Sequence, residues 1–166
     1  LDKSTRPLKD IVRESIFNIL EHSNKVSKKI TNSKVLDLFS GTGSFGIECL
    51  SRGAKKVVFV ENYSEALVIL KKNLNSLKSV KNYEIIEKDI YNNNKIITLN
   101  IQFDIIFLDP PYKEKRINEL IEKIIENKMF SFEIEFMPKS QDFRFFIIFH
   151  LIITSQFCII LMIYII

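Results

Sequence analysis

An apolar run that breaks into glycines and then turns helical, VLDLFSGTGSFG at residues 35–46, constrains this chain more than any other segment. Val35, Leu36 and Leu38 read as a strand apolar enough to be buried on both faces. Gly41, Gly43 and Gly46 then satisfy a GxGxxG spacing. Glycine suits such a loop because a residue without Cβ can turn tightly and let a ligand lie against the backbone. The helix that follows aims its first amides into the same space. By itself the loop fits nicotinamide cofactors, flavins and S-adenosylmethionine alike.

The pattern repeats along the chain. KVVFV, YEIIE and FDIIFLD are short apolar runs that read as further strands. Residues 44–52 and 64–77 read as connecting helices, and 92–99 as a helix or turn. Residues 114–127 predict an amphipathic helix with Ile117, Leu120, Ile121, Ile124 and Ile125 on one side. Ahead of the first strand, TRPLKDIVRESIFNILEH predicts another, capped at Thr5 or Arg6, with Pro7 in its first turn and Asp10 complementing its dipole. Its apolar face is Leu8, Ile11, Val12, Ile16, Ile19 and Leu20, and a polar loop, SNKVSKKITNSK, follows. Strands alternating with helices imply an α/β fold, a Rossmann-like open and mostly parallel sheet with flanking helices. At 166 residues this is one domain.

The charges and the tail divide the chain. Residues 1–128 carry 22 basic and 17 acidic side chains, a modestly basic body compatible with a polyanionic partner such as RNA. Residues 129–166 form an atypical Phe/Ile-rich tail, whose last 22 residues, 145–166, contain no Lys, Arg, Asp or Glu. Three readings stand side by side: an aberrant or frame-shifted segment, buried strands, or a membrane span. The span is disfavoured by His150, Gln156 and the Thr154–Ser155 pair inside the run. Cys49 and Cys158 are too few to staple a small secreted fold or close a zinc site, and no metal is expected. No signal peptide is expected, since LDKSTRPLKD reaches no apolar run. The first residue is Leu, so the true N-terminus is expected to lie upstream.

Four acids fall at the predicted strand ends. Glu61 follows Gly41 by twenty residues, where a carboxylate can accept both hydroxyls of a ribose. Asp37 lies four residues before Gly41; it would repel a pyrophosphate but attract a sulfonium amino acid carrying an ammonium group. Asp89 closes the third run, where it can accept from an adenine amino group with Ile90 packing on the ring. Asp109, Pro110, Pro111 and Tyr112 end the fourth. Consecutive prolines fix φ and remove two N–H groups, leaving acceptors with defined directions. Such acceptors can hold the exocyclic amine of a planar base while Tyr112 stacks on it. In open α/β sheets, ligands bind at these strand ends.

On these residues the sequence resembles the class I S-adenosylmethionine-dependent methyltransferases, with DLFSGTGSFG as motif I and DPPY as motif IV. More narrowly, it is similar to the RsmD family of 16S rRNA guanine-N2 methyltransferases. The stretches STRPLKDIVRESIFNIL, LDLFSGTGSFGIECLSRGAKKVVFVE and FDIIFLDPPY carry the likeness, over about residues 4–127. The resemblance implies that Asp37, Gly41 and Gly43 surround the methionine half of S-adenosylmethionine, Glu61 its ribose and Asp89 its adenine. It also implies that Thr5, Arg6 and Pro7 lie over the cofactor and that Asp109 to Tyr112 hold the guanine N2 beside the methyl group.

Two departures accompany the likeness. The basic β-hairpin that normally precedes the TRP segment is missing, and only FEIEF offers a further strand, so the fold is expected to be incomplete at both ends. The expected activity is methyl transfer to small-subunit rRNA, free or assembled, by a cytoplasmic monomer. The alternatives are methylation of adenine N6 in DNA or of a protein glutamine, or a homologue that binds cofactor or RNA without turnover.

Overall fold

KVLDL, KVVFV and IIFL become buried parallel strands because their successive positions are largely apolar and so bury side chains on both faces of the sheet. YEIIE, with Glu84 and Glu87, forms a partly buried strand. The computed structural model describes residues 10–22, 29–92, 101–111, 114–127, 129 and 159–162, the last four and residues 10–12 by their backbone alone. Helix α1 covers Asp10–His22, β1 Lys34–Leu38, α2 Ser44–Ser51, β2 Lys56–Glu61, α3 Ser64–Ser76, β3 Tyr83–Glu87, β4 Ile105–Leu108, α4 Ile117–Glu126 and β5 Ile159–Met162. The sheet order is β3-β2-β1-β4-β5, with every pairing parallel. The order reverses direction at β1, between β2 and β4. That is the switch point at which open α/β sheets place a crevice for ligands.

Alternation along the strands sends side chains to two cores. On one face Val35, Val57, Phe59, Ile105 and Phe107 pack beneath α1, α2 and α3, which contribute Phe17, Phe45, Cys49, Leu70 and Leu74. On the other face Leu36, Leu38, Val58, Val60, Ile106 and Leu108 meet Ile117, Leu120 and Ile124 of α4. The sheet is thus covered on both sides, as parallel sheets require.

A run of aromatic rings ties the first face together. Phe45 of α2 stacks on Phe107 of β4 with centroids 3.8 Å apart, and on Phe17 of α1 at 5.2 Å. Arg52, just after α2, lies over the Phe17 ring at 4.6 Å and pairs with Glu21 and Glu48, each at 2.7 Å. These contacts seat α1 against α2, and so beside the loop that α2 follows.

The strand and helix expectations match these elements to within a few residues, with α4 starting at Ile117 rather than at 114. Expectations for Thr5, Arg6, Pro7, Tyr112, the 93–99 part of the 92–99 element, and FEIEF lie outside the described residues. Apart from β5, so does the tail. Among the described residues, no helix is long and apolar enough to cross a membrane.

Candidate active site

The loop between β1 and α2 is built before any ligand arrives. Ser40, Gly41, Thr42 and Gly43 form a turn closed by the Gly43 N–H donating to Ser40 O at 2.7 Å. Gly41 has φ +54 and Gly43 φ +82, left-handed values that favour glycine. A Cβ on Gly41 would meet nothing within 4 Å, so the space above it is open. At Gly43 a Cβ would come within 2.3 Å of Leu70 Cδ1, and at Gly46 within 2.3 Å of the Phe59 ring. Gly41 therefore borders free space, whereas Gly43 and Gly46 let α3 and the sheet approach closely.

Neighbouring elements hold this turn in place. The Ser40 N–H donates to Val60 O at 3.1 Å, and the Asn73 side-chain amide of α3 donates to Thr42 O at 3.1 Å. Glu61, at the end of β2, accepts from the Gly41 N–H at 2.7 Å through Oε2. Its Oε1 accepts from the Asn62 and Tyr63 N–H groups, both at 2.9 Å. A carboxylate offers about four acceptor positions. Glu61 uses three of them on backbone amides, so a ribose would have to share or displace the Gly41 contact.

Asp37 lies inside the C-terminal end of β1, as its place in the sequence predicts, and it is buried there. In the register of the sheet it lies between Phe59 of β2 and Phe107 of β4, on the face roofed by α2. It is 1% exposed. Its Oδ2 accepts from the Gly46 N–H at 3.0 Å and so caps an orphan amide in the first turn of α2. Its Oδ1 is buried with no hydrogen-bond partner. Burial pushes the carboxyl up to about 8; the Gly46 N–H opposes that shift, and the nearby charges of Asp109 and Glu61 add to it. The residue is thus an anchor for the loop with one oxygen to spare, in a region already rich in negative charge. That oxygen and the open space over Gly41 fit a ligand that carries positive charge.

Asp109 directly follows β4, the strand that flanks β1 on the side away from β2. Its N–H donates weakly to Leu38 O at 3.5 Å, which holds the start of the Asp-Pro-Pro segment against the end of β1. Burial pushes its carboxyl up to about 6. Pro110 is half-buried and Pro111 exposed. At neutral pH Asp109 is therefore mostly an ionised acceptor, beside a loop whose own acid, Asp37, is mostly protonated.

The structure gives Asp89 and Ile90 more local employment than expected. Asp89 lies two residues beyond β3, and its carboxylate accepts from the Tyr91 N–H and the Asn92 side-chain amide, both at 2.9 Å. Ile90 is buried in the core beneath α4. Tyr91 and Arg116, which the sequence reading passed over, stand next to them: the Arg116 guanidinium lies 3.9 Å from the Tyr91 ring centroid. The available signals were an aromatic two residues past Asp89 and the basic run KEKR after DPPY.

Comparison with known proteins places this site in a family. Residues 1–141 match the family described as Conserved hypothetical protein 95. The chain belongs to the RsmD family. A relative from Haemophilus influenzae named Ribosomal RNA small subunit methyltransferase D is 39% identical over 123 residues, covering 74% of this chain and 61% of the relative. The protein of that name from Buchnera aphidicola subsp. Baizongia pistaciae is 38% identical over 128 residues, covering 75% and 60%. The chain thus spans about three-fifths of the length of these RsmD-named relatives. A solved conserved hypothetical protein of Streptococcus pyogenes superimposes with a TM-score of 0.61 at 32% identity, covering 72% of this chain and 70% of that one. The architecture is that of the class I methyltransferases.

Proposed function

We propose that residues 1–128 are the cofactor-binding and catalytic core of a methyltransferase that moves a methyl group from S-adenosylmethionine to the N2 amine of a guanine in small-subunit rRNA. The observation that carries this reading is Asp109: a partly buried carboxylate ahead of two prolines, at the switch point, held against the end of β1 and near enough to Asp37 for its charge to act on it. Family membership supplies the reaction class, and the names of the relatives supply the small-subunit RNA. In this reading the chain acts in the cytoplasm as a monomer, on free or assembled RNA.

The residues divide the work. Gly41 leaves room for the cofactor, and Asp37 Oδ1 meets its positive charge. Glu61 takes the ribose while still bracing Gly41, and Asp89 and Ile90 border the adenine. Thr5, Arg6 and Pro7 cover the cofactor. S-adenosylmethionine supplies a methyl group on a sulfonium, an electrophile with a neutral thioether as leaving group. Asp109 accepts a hydrogen bond from the guanine amine, and Tyr112 stacks on the base. That bond fixes the amine so that the nitrogen lone pair faces the methyl carbon. Bound there, the cofactor would give its methyl carbon to that nitrogen and keep the C–S electron pair as a neutral thioether. The nitrogen, cationic as it forms, is stabilised by the Asp109 charge and then loses its proton to water. Pro110 and Pro111 contribute no N–H that would compete for the Asp109 carboxylate.

Small subunits prepared without base methylation test the reading. Incubated with the full chain and methyl-labelled S-adenosylmethionine, they should yield label in N2-methylguanosine after digestion to nucleosides, and the yield should collapse in Asp109→Ala. Label in another nucleoside would overturn the substrate, and undiminished label in Asp109→Ala would overturn the site.

A further inference from the structure

The loops after β1, β3 and β4 meet in a stack to which the reaction above assigns no role. Phe39 begins the β1 loop at φ +58, a backbone value that bulky residues rarely hold. Its ring lies 6.3 Å from that of Tyr91, centroid to centroid. Asp89 Oδ1 pins the Tyr91 N–H, and the Arg116 guanidinium carbon sits 3.9 Å from the centre of the Tyr91 ring. A hydrogen-bonded turn delivers Arg116 there. The Glu114 N–H donates to Pro111 O, and the Arg116 N–H donates to Glu114 Oε1, each at 2.8 Å. Glu114 Oε1 is also 3.7 Å from Arg116 Nε, an ion pair too long for a hydrogen bond. The Arg116 side chain is 52% exposed. Among the described residues, no acceptor lies within hydrogen-bond distance of its terminal nitrogens.

A guanidinium laid on an aromatic ring keeps the N–H groups in its plane available, in a fork that matches two oxygens of a phosphate. Stacking also restrains the side chain before a ligand arrives, so less freedom is lost on binding. Arg116 follows Pro111, which belongs to the segment assigned to the target base, by five residues. The Glu114 N–H bonds back to Pro111 O, and exposed Lys115 adds a second positive charge. We propose that Arg116, held on Tyr91, binds a backbone phosphate of the RNA strand adjacent to the target guanine. The proposal rests on the reading above for RNA as the substrate, but not on turnover. Tyr91 is the positioning residue: burial, then the nearby Glu114 charge, keep its phenol well above its usual range and the ring neutral.

Equilibrium binding of a labelled small-subunit rRNA transcript, measured across salt concentrations, tests this with wild type, Arg116→Ala, Arg116→Lys and Tyr91→Leu. Thermal melts show that each variant is folded. Removing one phosphate contact should weaken binding roughly tenfold at low salt and make the slope of log K against log salt shallower by about 0.7–0.9. Arg116→Lys should keep the slope and lose part of the affinity, and Tyr91→Leu should do the same. Unchanged affinity and slope in Arg116→Ala would overturn the proposal, as would failure of the wild type to bind the transcript. Arg116-dependent binding without methyl transfer would sink the enzymatic reading and leave this contact standing. Methyl transfer indifferent to Arg116, with unchanged binding, would do the reverse.

Discussion

Replacing Asp37 by Asn should stabilise the chain at neutral pH, although it alters the acid of motif I. Asn keeps an acceptor for the Gly46 N–H and nearly the same shape, but cannot ionise. In the wild type the carboxyl has an ordinary value of 3.8 in the unfolded chain and about 8 in the fold, chiefly through burial between Phe59 and Phe107. A raised value means that folding takes up a proton. The associated stability is complete below 3.8 and is lost as pH rises through about 8. At about 1.4 kcal/mol per pH unit, the loss reaches roughly 4 kcal/mol by pH 7. Exchanging a neutral acid for an amide beside the unpartnered Oδ1 costs about 1 kcal/mol at any pH. The variant should therefore be slightly less stable than wild type at pH 4, about 3 kcal/mol more stable at pH 7 and about 4 kcal/mol more stable at pH 8, a gain of roughly 6–16 °C in melting temperature. Melting curves followed by circular dichroism from pH 4 to pH 8 provide the test. The distant carboxylates are common to both proteins and cancel, so the difference between the two curves reports Asp37 together with its coupling to Asp109 and Glu61. Parallel curves, or a wild type that gains on the variant as pH rises, would refute the reasoning.

Two further outcomes follow from the site. In the proposed reaction Asp109 works as an ionised acceptor, so kcat/KM for RNA should climb as pH rises through about 6 and then level. Asp109→Asn should lose that limb along with roughly 10²-fold in rate, and a limb at pH 6 surviving in Asp109→Asn would assign the titration elsewhere. Gly41→Ala and Gly43→Ala should fail in different ways. A methyl group at Gly41 enters open space at φ +54, costing about 1–2 kcal/mol of stability but obstructing the cofactor; at Gly43 it also displaces Leu70, for about 2–3 kcal/mol in total. Calorimetry with S-adenosylmethionine alongside thermal melts should show the larger affinity loss at Gly41 and the larger melting shift at Gly43; the opposite order would contradict the geometry.

The strands and helices were legible because their signal is one-dimensional. Val35, Leu36 and Leu38, or Val57 to Val60, are apolar at successive positions only if both faces of the sheet are covered. The site was legible in outline, since loop and acids fall at strand ends by chain order alone. What the acids do there was not. Glu61 and Asp89 looked like ligand contacts, yet both carboxylates are engaged by N–H groups that local turns aim at them, and the direction of an amide is invisible in a sequence. The position of Asp37 near the end of β1 was legible, but not its depth, because side-chain alternation does not reveal that α2 roofs that row between two phenylalanines. Tyr91 and Arg116 stand 25 positions apart, and only the meeting of the loops after β3 and β4 joins them.

Burial of Asp37 looks wasteful in the chain alone, because it removes an ionisable group from water and leaves Oδ1 without a partner. Its position beside Glu61 and Asp109 changes that balance. The charges of Asp109 and Glu61 add to the burial that raises the cost of ionising Asp37. A ligand bearing positive charge relieves the whole set at once. On the proposed reading, a cation there would lower the cost of ionising Asp37, so that the proton would leave as the cation entered and the oxygen left without a partner among the described residues would acquire one. The same carboxylate meanwhile keeps its other oxygen on Gly46, so the loop that receives the ligand stays in place during the exchange. A region held at the edge of neutrality by burial therefore answers to a cation more strongly than an exposed rim of acids would, where solvent already screens each charge.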